Sequence, residues 1–388
     1  MNILMFSWEY PPRIIGGISR VVYHLSRELS EQGHNVTVIT SIDGEEEFHS
    51  SGNKKIYCVS SYYVKPINFI NGVLQMNLSM LEKAVEIIKN GEMFDIIHLH
   101  DWLVAFVGKC MSRIYPIKQV CTIHSTEYGR NAGIHNEIQL FINNVEKKMV
   151  HAVKHVIVNS MYMKNEVETL FERSPDNIHV IPNGIEPGKL NLIPKDMDFR
   201  RKYASDNEKI VFFIGRLVNE KGVHVLMDAV PIILSEYRDV RFVIAGSGPE
   251  RDTLEKKAFE NGVAERVHFT GYINDEELHK MYKSVDIAVF PSLYEPFGIV
   301  ALEAMVANLP VVVSEAGGFN EIVTNRYNGM KFRTGHSDLL ADCIIELLTT
   351  PELAADITKN AWNTIYEKYK WSAIVEKTYA IYELARND

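Results

Sequence analysis

KIVFFIGRLVNEKGVHVLMDAV, residues 209 to 230, carries the plan of the whole chain. Residues 209 to 216 are a short apolar run, rich in β-branched and aromatic side chains, as in a strand buried on both faces. RLVNEK follows as a charged loop, and Gly222 opens the amphipathic stretch VHVLMDAV. Strand, loop, glycine and helix make the repeating unit of a parallel sheet covered by helices. The chain begins in the same way, with NILMF at 2 to 6, a loop ending in Gly16 and Gly17, and the helical ISRVVYHLSREL. Outward from these two starts run two series of candidate strands. The first is 2 to 6, 35 to 40, 94 to 100, 119 to 124 and 155 to 160; the second is 209 to 216, 240 to 246, 266 to 271, 286 to 292 and 310 to 317. Between them, 181 to 198 lose periodicity and gather Pro, Gly and Asn, as a connection between domains does. Two doubly wound α/β domains in tandem are expected, with helical segments 337 to 350, 352 to 369 and 371 to 388 closing the chain.

Composition narrows the class. A chain of 388 residues is too long for one ordinary core. A net charge of -9 argues against general nucleic-acid binding. Cys58, Cys110, Cys121 and Cys343 are scattered, with neither disulfide-framework nor zinc spacing, which fits a reducing compartment. NILMF is too short for a secretory core and no run reaches membrane-spanning length, so a cytoplasmic protein is expected, with membrane contact left open and the oligomeric state unread.

In open α/β sheets ligands gather beyond the carboxyl ends of the strands, so chemistry is sought in the strand-to-helix loops. Gly16 and Gly17 precede a helix whose free amides suit a phosphate; a plain tight turn explains them equally well. Arg216 and Lys221 stand at the end of a strand, where a diphosphate would need neutralising, or form an ordinary surface pair. In SLYEPFGIVALEAM, 292 to 305, Glu303 is the one charged residue of a helix apolar on every side. With Pro296 in the first turn, Glu295 sits just outside the helix and Glu303 about 12 Å along it. Glu295 then meets sugar hydroxyls, the amides of Phe297, Gly298 and Ile299 meet phosphate, and Glu303 holds a ribose diol; the alternative is a core Glu303 paired to a cation and a capping Glu295. His124 ends the strand QVCTIH and is either structural or a sugar contact. Asp101 and Trp102 end FDIIHLH as a sugar platform, or as an N-cap and a core ring. Other patterns are set aside: Asp196 and Asp198 as a helix start, His98 and His100 as lacking metal spacing, Gly246 to Pro249 as a broken dinucleotide fingerprint, and Glu45 to Glu47 as a solvated loop.

Together these pieces resemble the retaining nucleotide-sugar glycosyltransferases of the GT-B fold, family 4. GG at 16 and 17, PNGI at 182 to 185, GRLVNEKG at 215 to 222 and PSLYEPFGIVALEA at 291 to 304 occur in that family's order. The resemblance implies two Rossmann-like domains facing across a cleft. They are expected at 1–187, rejoined by a C-terminal helix 371–388 crossing back, and at 188–370, which carries most of the donor. It also implies catalysis without cofactor or essential metal, with Arg216 and Lys221 stabilising the departing nucleotide. SWEYPP, HLHDWLVA and TIHSTEYGRNAGIH look like the glycogen and starch synthase type, which lengthen α-1,4-glucans from ADP- or UDP-glucose. By that similarity His124 touches the donor sugar near the reacting carbon, Glu9, Asp101 and Trp102 line the acceptor side, Asn183 belongs to the donor set, and Tyr272 stacks on the base. The usual Lys-x-Gly-Gly-Leu loop is replaced here by RIIGGI at 13 to 18. Alternatives are transfer of mannose, glucose or N-acetylglucosamine to a lipid or surface polysaccharide, a nucleotide-sugar epimerase, and a non-catalytic sensor.

Overall fold

A computed structural model describes residues 1–60, 64–186 and 194–388. The chain divides into two compact units, Met1–Gly184 with Trp371–Asp388, and Ile185–Lys370. The boundary expected between 187 and 188 lies outside the described residues, as do part of the expected connection and residues 61–63.

The first unit is an eight-stranded sheet. Its strands are β1 Asn2–Phe6, β2 Asn35–Ile42, β3 Glu47–Ser51, β4 Lys54–Ser60, β5 Ile96–His100, β6 Lys118–Ile123, β7 His155–Val158 and β8 Ile178–Val180. They lie in the order β3-β4-β2-β1-β5-β6-β7-β8. Every pairing is parallel except β3 with β4. Glu47 was expected in a solvated loop; it begins the exposed edge strand β3, opposite Cys58. An edge strand with a charged, solvated face has no apolar alternation to betray it. Strand interiors such as Leu4, Phe6, Ile97, Leu99, Cys121 and Val156 form the core with the flanking helices. The helix 371–387 belongs to this unit: Trp371 lies against Gly184, where a Cβ would come within 2.5 Å of the indole.

The second unit is a six-stranded parallel sheet. Its strands are β9 Lys209–Ile214, β10 Val240–Ala245, β11 Val267–Gly271, β12 Ile287–Phe290, β13 Val311–Ser314 and β14 Met330–Phe332. The order β11-β10-β9-β12-β13-β14 is that of a dinucleotide-binding Rossmann sheet. Val211, Phe213, Val289 and Val313, each at most 1% exposed, show why these runs carry almost no polar residues: both faces are covered. In each sheet the connections change direction at one point, between β1 and β5 and between β9 and β12. Those switch points leave a crevice at the strands' carboxyl ends. The loops of residues 7–16, 101–104, 215–222 and 291–298 all start there.

Candidate active site

In the second unit, two switch-point loops are locked together by glycine. Gly222 has φ +64, and a Cβ there would lie 2.0 Å from the Pro291 carbonyl oxygen. Leu293 N–H donates to the Glu220 carbonyl at 2.8 Å. This close approach brings Lys221 Nζ to 2.7 Å from Glu295 Oε2, which also accepts from the Ser292 hydroxyl at 3.1 Å. Sequence neighbours would never have suggested that pair, which joins the loop after β9 to the loop after β12. Arg216 turns to its own loop instead, 3.1 Å from Glu220, with its side chain 53% exposed.

The helix carrying Glu303 spans Ile299–Val306. It does not start at Pro296, as expected, because Gly298 takes φ +107 and breaks the helical path. The chain there is pinned from the other side: Gly318 N–H donates to the Glu295 carbonyl at 2.8 Å. A Cβ on Gly318 would strike Phe297 Cα at 2.5 Å. Glu295 and Glu303 are therefore not two points on one helix, and the 12 Å rise does not apply. No side chain caps this helix, so its N-terminal end around Ile299 keeps amides for an anion. Glu303 is buried, and Tyr282 donates its hydroxyl to Oε2 at 3.1 Å. Phe297 is buried, while Tyr272, just after β11, is 71% exposed.

In the first unit the loop after β1 departs from expectation. Glu9 is 1% exposed, and its carboxylate accepts the N–H groups of Ile15 and Gly16 at 2.6 and 2.8 Å. The Gly16 amide expected to meet a phosphate is thus already held by an internal acid, and Glu9 is not an open acceptor contact. Burial pushes the Glu9 carboxyl up, with the Gly16, Ile15 and Ser19 bonds opposing. Gly17 begins the helix 17–31. Asp101 takes the left-handed φ of +62, strained for a side-chain-bearing residue. It caps nothing with its side chain; Oδ1 accepts the His124 backbone N–H at 2.8 Å. Burial pushes its carboxyl up, against His124 and Arg130. Trp102 is a core ring, 4% exposed and edge-on to Phe69 at 6.0 Å, rather than a presented sugar platform. It begins a short 3-10 turn, 102–104, whose three residues are all buried.

His124 itself is buried, and burial pushes its pKa down against the pull of Asp101. Its Nε2 lies 3.2 Å from His100 Nδ1. Asn183 lies in this first unit, buried near His100 and Trp371. Sequence reading passed over His98 and His100 because it tested them only for metal spacing. Their i, i+2 placement on β5, beside His124 just past the end of the adjoining β6, was the available signal. Arg130 and Glu146 were missed entirely. The Arg130 guanidinium bridges Glu127 at 2.9 Å and Glu146 at 3.5 Å. Burial raises the Glu146 carboxyl to about 8, opposed by Arg130 and by the Glu127 amide.

Among the described residues, Glu47, His49 and Cys58 are the one cluster with metal-ligand proximity, on the β3–β4 edge rather than at these loops.

The two halves match two family profiles, "Glycosyltransferase Family 4" over residues 15–189 and "Glycosyl transferases group 1" over residues 195–364. An uncharacterised glycosyltransferase of Methanocaldococcus jannaschii is 38% identical over 392 residues, covering 99% of this chain and 98% of that one. The glycogen synthase of Mycobacterium tuberculosis is 32% identical over 401 residues, covering 100% and 95%. Among solved structures, sucrose-phosphate synthase of Thermosynechococcus elongatus superposes with a TM-score of 0.84 at 24% identity, covering 99% and 98%. Anabaena HepE in complex with UDP and glucose does so with 0.77 at 22%, covering 99% of each.

Proposed function

Since the chain belongs to this family of GT-B glycosyltransferases, we propose that it transfers glucose from ADP- or UDP-glucose to a glucan acceptor with retention at the anomeric carbon. The observation that carries the proposal is the Lys221–Glu295 contact at the second unit's switch point, beside an uncapped helix end. An ammonium has three donors, so Lys221 can keep Glu295 and still take a phosphate oxygen. A diphosphate leaving group gathers negative charge in the transition state. Lys221, the amides near Ile299 and, on leaving Glu220, the exposed guanidinium of Arg216 are the donors assigned to meet it. Glu295 and the Phe297–Gly298 turn then hold the sugar and phosphate, and Glu303 the ribose. In the first unit His124 is assigned to the sugar and Asp101 to holding His124. The acceptor hydroxyl attacks on the face the nucleotide leaves, and the departing diphosphate takes its proton. No metal is called for in this scheme. The glycogen synthase relative supports the glucan; HepE with UDP and glucose supports a nucleoside diphosphate donor.

A second acceptor class, a lipid-linked or surface saccharide, is favoured by apolar side chains standing in solvent on the first unit: Ile67 (91%), Phe69 (56%), Leu74 (43%) and Leu78 (47%). No helix among the described residues is long and apolar enough to cross a membrane. The test is a panel of nucleotide sugars offered glycogen, maltooligosaccharides, lipid-linked saccharide in vesicles, or water, following nucleoside diphosphate release. Glucan-dependent release from ADP- or UDP-glucose is expected. Release only with vesicles moves the acceptor to lipid; sugar conversion without acceptor or release points to an epimerase.

A further inference from the structure

The first unit holds a cavity of about 20 Å³, lined in part by His98, His100, Thr122, Asn183, Trp371 and Thr378. That is room for one water molecule. Two atoms of its lining residues, His100 Nε2 and Trp371 Nε1, are buried without a hydrogen-bond partner among the described residues. Buried imidazole nitrogens and indole N–H groups are rarely left so, and two on residues lining one cavity of mixed polar and apolar walls point to a molecule that serves both.

The other nitrogen of His100 is committed to His124: Nδ1 to Nε2 is 3.2 Å, with the rings stacked at 5.5 Å. On its other side His100 packs on His98 at 4.0 Å. His98 is fixed at both ring nitrogens, by the Tyr382 hydroxyl and by Thr122 Oγ1, each at 2.7 Å. Tyr382 and Trp371 both come from the C-terminal helix 371–387. A row of three imidazoles therefore runs from that helix to His124. Burial holds all three pKa values down, that of His98 to about 3, so every ring is neutral near pH 7. In a contact between two neutral rings one nitrogen donates and the other accepts.

We propose that one water fills this cavity, accepts from Trp371 Nε1–H and donates to His100 Nε2, so that His100 donates from Nδ1 and fixes His124 as its Nδ1–H tautomer. The direction follows from Trp371, which is a donor only. A water that accepts its N–H has both hydrogens left to give, and His100 Nε2 is a buried nitrogen with no partner among the described residues. His100 is then a positioning residue. Resting on the function proposed above, the consequence is that His124 offers a sugar a donor at Nδ1. The C-terminal helix, through Trp371 and its water, determines which tautomer His124 adopts.

The test is a multiple-bond ¹H–¹⁵N spectrum of histidine-labelled, ligand-free full chain at pH 8, with His124 assigned by substitution. Wild type is expected to show His124 protonated on Nδ1, against the Nε2–H form that free imidazole side chains prefer. His100→Leu is expected to revert it to Nε2–H, Trp371→Phe to revert it in part, and His100→Asn, whose amide can donate from the Nδ1 position, to preserve it. The indole N–H of Trp371 should show a cross-peak to a long-lived water. Wild-type His124 in the Nε2–H form overturns the proposal, as does an Nδ1–H form that survives His100→Leu. If that variant does not fold, the wild-type and Trp371→Phe spectra decide. These spectra need no substrate, so failure of the sugar panel and failure of this inference are separate results. With a working donor, His100→Leu should lower kcat about ten- to a hundredfold, the range found for groups that orient a ligating histidine, with KM for the donor near wild type and kcat largely restored in His100→Asn; an unchanged kcat overturns the positioning role.

Discussion

Replacing Glu303 separates its two potential roles. Glu303 is 8% exposed, and its carboxylate accepts the hydroxyl of Tyr282, a residue 1% exposed, at 3.1 Å. Glu303→Ala removes that acceptor and leaves a small void, and a buried hydroxyl that loses such a bond costs about 1–3 kcal/mol. Tyr282→Phe deletes the same hydrogen bond from the other side, at about 1 kcal/mol, and leaves the carboxylate in place. If Glu303 also grips a ribose diol, Glu303→Ala loses charge-assisted hydrogen bonds to the nucleotide. These are worth about 1.5–3 kcal/mol each, so affinity for UDP or ADP falls at least about tenfold. Tyr282→Phe should bind nucleotide within a few-fold of wild type, since it alters only the carboxylate's orientation. Isothermal titration with UDP and ADP, run beside urea unfolding of the same three chains, reads both quantities. A folded Glu303→Ala chain that binds both nucleotides as wild type does would remove the ribose role and leave Glu303 as a core acid held by Tyr282.

The remaining predictions concern charge, backbone and pH. Lys221→Ala should lower kcat about 10²–10³-fold, the effect of deleting one preorganised donor at a developing charge; it also strips a buried Glu295 of its cation, so its denaturation midpoint should fall, and near-normal turnover would contradict the assignment. Gly222→Ala should destabilise the second unit by more than about 2 kcal/mol, because the new Cβ meets a backbone carbonyl at 2.0 Å. Gly262→Ala, at φ +69 with nothing within 4 Å, should cost only about 1–2 kcal/mol for the left-handed backbone; equal losses in urea would refute the clash. Burial pushes the Glu208 carboxyl up, but the Ser205 amide, the Arg241 guanidinium and the Ser205 hydroxyl outweigh it and hold its pKa near 2, against 4.5 ordinarily. A carboxyl depressed in the fold contributes stability above its unfolded pKa and loses it as pH falls through the folded one. Wild type should therefore exceed Glu208→Gln in urea midpoint at pH 7, with the gap closing from about pH 4.5 down to about 2; a constant gap would refute the linkage.

What could be read from the chain was whatever is local and periodic. Apolar β-branched runs and the helices between them placed two Rossmann-like sheets, because a strand covered on both faces can hold almost nothing polar. A capped helix start at DFRRKY, beginning at Asp198, followed from capping chemistry; the cap is two residues earlier, at Asp196, whose side chain accepts Phe199 N–H at 2.9 Å. Strand β3 was lost because a solvated edge needs no apolar alternation. At the site, residue types at strand ends were legible, but their partners were not. Lys221 meets Glu295 across 74 positions of sequence, and His98 meets Tyr382 across 284. Such pairs depend on sheet order and on glycines whose missing Cβ lets loops touch, neither of which leaves a periodic trace. The path into the Glu303 helix also lay beyond local propensity: Pro296 suits a first turn, but Gly318 and its neighbours pin the chain so that the helix begins only after Gly298. Glu9 shows the same division. Two glycines before a helix announce an anion site, and only the folded loop determines that the anion held there is the chain's own carboxylate.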